Sequence, residues 1–374
     1  MNYLRRVWAE IDIDALKHNL EVVKSHCKDN KIMAVVKADA YGHGVKNVVP
    51  ALREAGVYGF AVSNLCEAIE LRELSVKEPI LILGYTPPEN AKELIENDII
   101  QCVYSYDYGL SLAKSCAGFD KRLKCYLKVD TGMGRLGFNF RENGDGYLEL
   151  ISTLNIKNLD FIGIFTHFAD ADKEENCDDG FTDIQYKRFV TLIEKLKAEG
   201  VNLIPSCCNS AAIMDHTNLT KDTVCRPGII LYGLEPDSKL SMPELTPVMT
   251  LKSVVTFVKD INTGETLSYG RTFKAEKKMT VATVAVGYAD GYPRALSNKA
   301  YVLINGKKAK VLGRVCMDQM LIDVTGIDTN PGDEVILFGK DLSPNILADM
   351  ANTISYEIIC GVGKRVPRIV VNKK

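Results

Sequence analysis

A lysine follows a short apolar run near the start of the chain, in the stretch VVKADAYGHG. The run Met33–Val36 has the composition of a buried strand, and Lys37 stands where that strand would end. An amine at this position either lies on the surface with its stem over apolar side chains or is kept desolvated for chemistry. The stretch alone favours the surface interpretation, because short motifs often occur by chance.

Polar and charged residues also follow four later apolar runs. These runs lead into KVDTGMGRLG, FTHF, CCNSAA and CRPGIILYG. With the first run, they supply two lysines, two arginines, a histidine and a serine, which are Lys37, Lys128, Arg135, Arg226, His167 and Ser210. If the runs form parallel strands of one barrel, their ends meet at one rim. Cations gathered there repel one another unless an anionic partner is bound.

The same rim contains candidate phosphate contacts. Ser210 opens a predicted helix, where free backbone N–H groups can hold a phosphate, although a plain helix cap explains it equally well. Gly228 permits a close backbone approach. Gly132, Gly134 and Gly137 have dinucleotide-motif spacing, but loop-like residues follow them, so we discount that motif. The set suits pyridoxal phosphate, which needs a lysine to hold it, a phosphate anchor and a partner for its ring nitrogen.

The elements that must position these residues are strand-like runs that alternate with amphipathic helical patterns. Such alternation predicts βαβ units and a parallel sheet. Eight runs in about 235 residues favour a (β/α)8 TIM-type barrel over an open doubly wound sheet. The predicted strands are Lys31–Lys37, Tyr58–Ser63, Pro79–Gly84, Ile99–Tyr104, Leu123–Asp130, Phe161–His167, Asn202–Cys208 and Val224–Gly233.

The texture of the sequence changes after Pro236. Short β-rich segments follow, separated by turns such as Asn305-Gly306. This pattern predicts a mostly antiparallel β domain over residues 237–374, closed by a short helix near Ser343–Asn352. The barrel is then predicted over residues 1–236, with the alternative that the first ~10 residues join the β domain.

Composition excludes several classes of protein. The 374 residues carry a net charge of −2, so no global field attracts nucleic acid or an anionic membrane. The 11 cysteines form no CxxC pair, which indicates reduced thiols in a cytoplasmic protein and no metal site. We find neither a signal peptide nor an apolar run of about 18 residues, so we expect no membrane span.

Eight motifs occur along the chain in the order found in alanine racemases: AVVKADAYGHG, KVDTGMGRLG, GIFTHF, RPGIILYG, SYGRTF, VGYADGY, GRVCMDQ and ISYE with RVPR. The sequence therefore resembles this family of pyridoxal 5′-phosphate enzymes, isomerases built from a barrel and a C-terminal β domain. The resemblance implies a homodimer with shared active sites. It also implies a supply of D-alanine for cell-wall peptidoglycan.

The resemblance implies two bases. Lys37 resembles the lysine that holds the cofactor and acts on one face of the substrate, and Tyr269 resembles the base on the other face, delivered from the second subunit. A racemase needs a proton carrier on each face. A free tyrosine has a pKa of about 10, so nearby cations must favour its phenolate. His167 and Arg226 resemble that supporting network.

Arg226 also resembles the group that faces the cofactor's ring nitrogen. An arginine keeps its own protons and leaves that nitrogen unprotonated, which favours simple proton return over transamination. Many members of the family support this arginine with a histidine, at the position that is Ser206 in this chain. A hydroxyl can still accept a hydrogen bond from Arg226, but the support is shorter and uncharged.

The resemblance assigns the remaining site residues as well. Arg135 and the backbone of Met317 resemble the contacts to the substrate carboxylate, and Asp318 resembles part of the same wall. Lys128 matches a lysine that is often carbamylated and then orients the arginine. The cofactor contacts are Lys37, Tyr41, Ser210, Arg226, Gly228, Ile229 and Tyr356, and the access corridor consists of Tyr288, Asp172, Arg294 and Arg314.

Three alternatives remain at this point. A serine racemase of the same fold is disfavoured by Tyr356, which narrows the pocket toward a methyl side chain, yet one hydroxyl is worth only about 1–3 kcal/mol. A carrier protein that binds pyridoxal phosphate without catalysis would need only the barrel, so the β domain argues against it. An aldolase or decarboxylase is disfavoured by Arg226.

Overall fold

The protein is described by a computed structural model that covers residues 6–142, 144–172, 180–216, 219, 223–237 and 242–372. The chain divides into two compact units. The barrel unit consists of Leu20–Ala40 and Leu52–Leu231. The β unit consists of the chain up to Asn19, Tyr41–Ala51 and the chain from Tyr232 onward.

The described chain begins with strand β1 (Val7–Asp12), which belongs to the β unit, and helix α1 (Ile13–Cys27). The strands of the barrel unit follow, and all their pairings are parallel. Seven of them lie side by side in this order: β2 (Met33–Val35), β3 (Gly59–Val62), β4 (Ile80–Ile82), β5 (Ile99–Val103), β6 (Leu123–Asp130), β8 (Leu159–Phe165) and β9 (Ile204–Ser206). The short β7 (Phe138–Asn139) pairs only with β6.

The segment around Cys225 takes the eighth position in this sheet. Its backbone forms a parallel bridge to Ile32, and Met33 donates its N–H to the carbonyl of Cys225 at 2.8 Å. On the other side, Val224 donates to the carbonyl of Pro205, just within β9, at 2.9 Å. The segment therefore links the last strand to the first, and the predicted (β/α)8 barrel is confirmed.

The barrel strands are apolar because both of their faces are covered. Every residue of β2, β3, β4 and β5 is buried. Polar caps begin several of the intervening helices; for example, Ser105 accepts from the N–H of Tyr108. The helices up to residue 215 are α2 (Lys37–Tyr41), α3 (Val45–Glu54), α4 (Leu65–Glu73), α5 (Ala91–Glu96), α6 (Tyr106–Ser115), α7 (Tyr147–Leu154), α8 (Phe181–Ala198) and α9 (Ser210–Asp215).

The β unit is built on antiparallel strands, as predicted. They are β10 (Met249–Ile261), β11 (Thr266–Leu267), β12 (Phe273–Lys274), β13 (Met279–Val284), β14 (Tyr301–Ile304), β15 (Lys307–Leu312), β16 (Met320–Asp323), β17 (Glu334–Phe338) and β18 (Arg368–Val371). The main sheet has the order β13-β16-β15-β14-β17-β10-β1-β18, and β13 also pairs with β10. Two helices, α10 (Pro344–Ala351) and α11 (Ser355–Cys360), complete the unit.

Two local features explain this sheet. Asn305 and Gly306 both have positive φ, of 48° and 72°, as a tight two-residue turn between β14 and β15 requires. Buried and partly exposed residues alternate along the first half of β10, so one face of that strand packs on the core. The strand β1 pairs antiparallel with β10 and parallel with β18, so the first described residues join the sheet of the β unit.

Candidate active site

Lys37 lies two residues beyond the end of β2, at the strand end that the sequence predicted. It opens α2, which is unusual because residues 38–41 have φ between 52° and 54°. This is the left-handed conformation, which costs non-glycine residues roughly 1–2 kcal/mol each. Such strain persists only where the surroundings hold it, and it is common at functional sites. The turn is closed by a bond from the N–H of Ala40 to the carbonyl of Val36 at 3.0 Å.

Four cations act together on His167 in the barrel unit. Burial lowers the pKa of His167 well below its usual value, and the positive charges of four residues lower it further: Arg226, Arg135, Lys128 and Lys37. The imidazole is therefore neutral at neutral pH. The charges of the four predicted cations thus act on one buried histidine of the barrel unit.

Arg226 is held in a fixed orientation beneath the rim. Its guanidinium is buried and donates from Nη1 to the Oγ of Ser206 and from Nη2 to the carbonyl of Thr166 at 2.8 Å. The Ser206 hydroxyl in turn donates to the carbonyl of Val224 at 2.6 Å. The serine therefore accepts from the arginine as predicted, and its own proton is also bound, which fixes the direction of the contact.

Lys128 is buried on β6. Its Nζ donates to the carbonyl of Val129 at 2.7 Å and lies 5.4 Å from the centre of the Phe165 ring. Burial lowers its pKa to about 8, and the charge of Arg226 adds to this effect. A substantial fraction of this amine is therefore uncharged near neutral pH, which is unusual for lysine.

Arg135 is exposed on the turn that follows β6. The carboxylate of Asp130 holds this turn by accepting from the N–H groups of Gly132 and Gly134, both at 3.0 Å. A side chain at Gly137 would lie 2.8 Å from the backbone N of Asp130. The glycine spacing therefore has a structural cause, a turn with close backbone approaches, and not a dinucleotide site.

The predicted phosphate contacts lie together at the start of α9. The Oγ of Ser210 accepts from the N–H of Gly228 at 2.9 Å, and the fully buried Ile229 follows directly. The helix is capped by Asn209, whose side chain accepts from the N–H of Ala212 at 3.1 Å. Because Asn209 caps the helix, the plain-cap explanation for Ser210 is wrong, and its hydroxyl faces the backbone of Gly228.

Two predicted cofactor contacts lie in the β unit, where they form an aromatic cluster. Tyr41 is buried, and its ring centre lies 4.9 Å from that of Tyr232 and 6.0 Å from that of Tyr356. Burial raises the pKa of Tyr41, and the nearby Tyr356 raises it further, so its hydroxyl stays protonated and can donate.

Tyr269 and Met317 lie on the surface of the β unit. Their side chains are 70% and 53% exposed. They share a pocket of about 490 Å³ with Ser268, Cys316, Asp318 and Gln319. The hydroxyl of Ser268 donates to the carbonyl of Arg314 at 2.6 Å and so fixes the turn that carries Tyr269.

The predicted corridor residues are brought together only in part. Tyr288 donates its backbone N–H to the carbonyl of Cys316 at 3.0 Å, beside Met317. Arg314 lies against Gly270, where an added Cβ would be 3.1 Å from the guanidinium carbon. Arg294 lines a different pocket of the β unit, and Asp172 lies in the barrel unit.

Residues 11–236 match the family model of the alanine racemase N-terminal domain, and residues 248–370 match that of the alanine racemase C-terminal domain. The chain belongs to the alanine racemase family. Members of this family are isomerases that racemise amino acids.

Individual alanine racemases resemble the chain over its full length. A relative from Desulforamulus reducens is 43% identical over 371 residues, covering 98% of this chain and 99% of that protein. The solved alanine racemase of Clostridium difficile 630 has 37% identity and a TM-score of 0.92, covering 100% of this chain and 97% of that one. The alanine racemase of Bartonella henselae, described with covalently bound pyridoxal phosphate, has 30% identity and a TM-score of 0.89, covering 98% and 100%.

Sequence reasoning missed Glu67, which supports the turn after Lys37. Its Oε1 accepts from the N–H of Ala38 at 2.7 Å, and its Oε2 accepts from the N–H and the hydroxyl of Ser63 at 2.8 and 2.9 Å. Asn64 and Glu67 have the spacing of a helix-capping pair, which predicts a role at the start of α4. This spacing does not predict the bond between Glu67 and the N–H of Ala38, because the two residues are 29 positions apart in the sequence.

The described part of the chain offers no cluster of metal ligands. No group of three or more histidine, cysteine or acidic side chains there is placed to hold a metal ion. None of the helices in those same residues has both the length and the apolar composition needed to cross a membrane.

Proposed function

We propose that this chain is an alanine racemase that interconverts L-alanine and D-alanine with pyridoxal 5′-phosphate as its cofactor. The family match over both parts of the chain and the full-length relatives support the activity. The Bartonella henselae structure, described with the covalently bound cofactor, supports the cofactor. The observation that carries the proposal is Lys37 just beyond β2, in the same unit as the buried Arg226 and Lys128, since an anionic cofactor and a carboxylate substrate require such cations.

The donors at the rim fit the groups of this cofactor. Lys37 offers the amine that would hold it covalently, and the contact between Ser210 and Gly228 marks a compact place for its phosphate. Arg226 is a donor without an acceptor atom, so it would face the ring nitrogen without protonating it. The further phosphate contacts that we propose are Tyr41, Ile229 and Tyr356.

Racemisation requires a proton to leave one face of the α-carbon and to arrive on the other. When bound, pyridoxal phosphate withdraws electrons from that carbon and makes its proton easier to remove. Lys37 exchanges the proton at its Nζ on one face, and Tyr269 exchanges it at its hydroxyl on the other. Because His167 is held neutral, the positive charge in the proposed supporting network of Tyr269 belongs to Arg226.

The substrate carboxylate would be held by Arg135 and by the backbone N–H of Met317, with Asp318 in the same wall. Lys128 acts through Arg135. Only an uncharged amine reacts with CO₂, and burial keeps part of Lys128 uncharged, so a carbamate can form there and orient the arginine. The access corridor that we propose consists of Tyr288, Asp172, Arg294 and Arg314.

The exposure of Tyr269 and Met317 supports a homodimer with shared active sites. A catalytic base needs a site that excludes water, and both side chains are open to solvent within their own chain. Because the two residues line one pocket, a partner that takes up Tyr269 also takes up Met317.

We assign the cofactor to a domain of residues 1–236 and the second base to a domain of residues 237–374, except that β1 pairs within the β unit. We expect the protein to act in the cytoplasm, where it would supply D-alanine for the peptidoglycan of the cell wall.

Chiral chromatography of the purified protein, loaded with pyridoxal phosphate and given L-alanine or L-serine, tests the activity. We expect rapid formation of D-alanine and slow formation of D-serine, because Tyr356 narrows the pocket toward a methyl group. D-serine formed at an equal or greater rate would move the assignment to a serine racemase. A protein that binds the cofactor firmly and racemises neither substrate would be a carrier.

A further inference from the structure

Asp290, in the stretch VGYADGY, is a fully buried carboxylate of the β unit. It accepts from both terminal nitrogens of Arg6, at 2.8 and 3.2 Å, and from Nε of Arg365 at 2.8 Å. The N–H of Gly287 donates to it at 3.0 Å. These bonds hold the pKa of Asp290 below its ordinary value although burial alone would raise it, so the group is a carboxylate at neutral pH.

Both arginines also donate hydrogen bonds to Asp318, in the turn of residues 316–318. Arg6 donates from Nη2 to the carbonyl of Asp318 at 2.9 Å, and Arg365 donates from Nη2 to the carboxylate of Asp318 at 2.6 Å. Asp290 is therefore joined to the turn by two separate guanidinium groups. The charges of the four side chains sum to zero, so the network gives orientation rather than a local field.

Backbone bonds attach the same turn to the residues beside Asp290. Tyr288 and Ala289 donate to the carbonyls of Cys316 and Met317, both at 3.0 Å. A side chain at Gly287 would lie 2.3 Å from these same two carbonyl oxygens, so the two segments pack in direct backbone contact.

All three carbonyls of the turn thus accept hydrogen bonds, from the N–H groups of Tyr288 and Ala289 and from the guanidinium of Arg6. The N–H groups of Met317 and Asp318 differ, since neither donates to a protein group in the described part of the chain. The Met317 side chain is 53% exposed and lines the same pocket as Tyr269. A fixed turn that keeps unused N–H donors beside a pocket is suited to binding an anionic oxygen.

We propose that Asp290 is a positioning residue that acts through Arg6 and Arg365 to orient the Met317 N–H toward the substrate carboxylate. This inference rests on the proposed function. Because the carboxylate does not change charge during racemisation, the contact binds the ground state and the transition state equally. Its loss therefore raises KM and leaves kcat nearly unchanged.

The test replaces the partly exposed Arg365, because a change at the fully buried Asp290 risks misfolding. In the holoenzyme, Arg365→Gln removes one link and is expected to raise the KM for alanine about tenfold in both directions, with kcat within about twofold. The absorbance spectrum of the bound cofactor should not change. Arg365→Lys keeps the charge but lacks the planar guanidinium that holds both carboxylates in fixed directions, so its KM should be intermediate.

Lys252→Gln is the matched control. Lys252 lies in the same unit and is ion-paired with Glu10 and Glu334, at 3.0 and 3.5 Å. Its KM should equal that of the wild type. Hydrogen exchange supplies a second readout, in which the bonded amides that anchor the turn, those of Cys316, Tyr288 and Ala289, exchange faster in Arg365→Gln and at the wild-type rate in Lys252→Gln.

Two outcomes separate this inference from the function on which it rests. A wild type that does not racemise alanine refutes both. An active wild type whose KM is unchanged by Arg365→Gln, or is raised equally by Lys252→Gln, refutes the positioning role alone.

Discussion

The rim of the barrel unit and the 316–318 turn of the β unit differ in how they hold their functional groups. At the rim, Arg226 and Lys128 are buried and bonded within their own chain. On the β unit, Tyr269 and Met317 are exposed, although the backbone beneath them is firmly bonded.

The difference follows from what each group must do. The rim gathers charges whose desolvation is costly, so each needs nearby acceptors that only a folded barrel supplies. The β unit exposes the phenol of Tyr269 and the side chain of Met317, which another surface must cover if they are to form a closed site. Under the proposed function, one chain builds a cofactor site for itself and presents a catalytic group to a partner.

Mixing two inactive variants tests most directly whether the barrel unit of one chain and the β unit of another form one active site. Lys37→Ala and Tyr269→Phe homodimers should each lose about a thousandfold in activity. If the sites are shared between subunits, random exchange at equal concentrations should restore about a quarter of the wild-type rate, since half of the dimers carry one intact site. Racemisation assays before and after subunit exchange measure this.

No recovery despite proven exchange would place both bases in the same chain. Lys31→Ala is a control for the first variant, since Lys31 is an exposed lysine just before the same strand. It should keep full activity and bind the cofactor normally.

Tyr269→Phe alone sharpens the assignment of faces. Removal of the proton from L-alanine should fall about a hundredfold or more, while proton exchange from D-alanine continues through Lys37. Deuterium uptake from D₂O into each enantiomer, followed by NMR, separates the two. Equal loss in both directions would contradict the assignment. The exposed Tyr85 of the barrel unit provides the control Tyr85→Phe, which should change neither.

Ser206→Ala tests whether the buried rim depends on complete hydrogen bonding. The variant leaves Nη1 of Arg226 without its hydroxyl acceptor, which should lower the free energy of unfolding by about 1–3 kcal/mol. We expect kcat to fall about tenfold as the arginine loses its orientation. Ser206→Thr keeps the hydroxyl and is the matched control. If the alanine variant equals the wild type in chemical denaturation and in kcat, the serine does not support the arginine.

The smallest expected effect concerns Lys128. With a pKa of about 8, roughly one tenth of its amine is uncharged at pH 7 and roughly nine tenths at pH 9. A carbamate signal in ¹³C NMR with labelled bicarbonate should therefore grow as pH rises through about 8. Activity should rise a few-fold with it, and Lys128→Gln should show neither. A signal that does not depend on pH would show that deprotonation of the buried amine does not control the modification.

The lowered pKa of Lys128 also makes the stability of the folded chain depend on pH. The buried amine binds its proton more weakly in the folded chain than in the unfolded one, where the pKa is about 10.4. Its contribution to the free energy of unfolding therefore rises with pH between about 8 and about 10.

Much of the architecture could be predicted because strands and turns depend on residues that are close together in the sequence. Buried runs of apolar residues marked the barrel strands, and Asn305-Gly306 marked a turn that needs positive φ twice. The polar residues after each run were predicted to meet at one rim, and this stays a prediction, although the charges of four of them act on His167. The roles of the site residues came from the family resemblance and stay predictions.

Other features were decided only by the tertiary structure. Residues 38–41 adopt the left-handed conformation although none of them is glycine, so the sequence does not predict this turn. Its support from Glu67 comes from a separate helix. Arg6 and Asp290 are 284 residues apart, and their contact leaves no trace in any local pattern. A sequence determines what each segment can form because helices and strands depend on near neighbours. Which distant carboxylate meets which arginine depends on how the completed elements pack, and only the folded chain decides that.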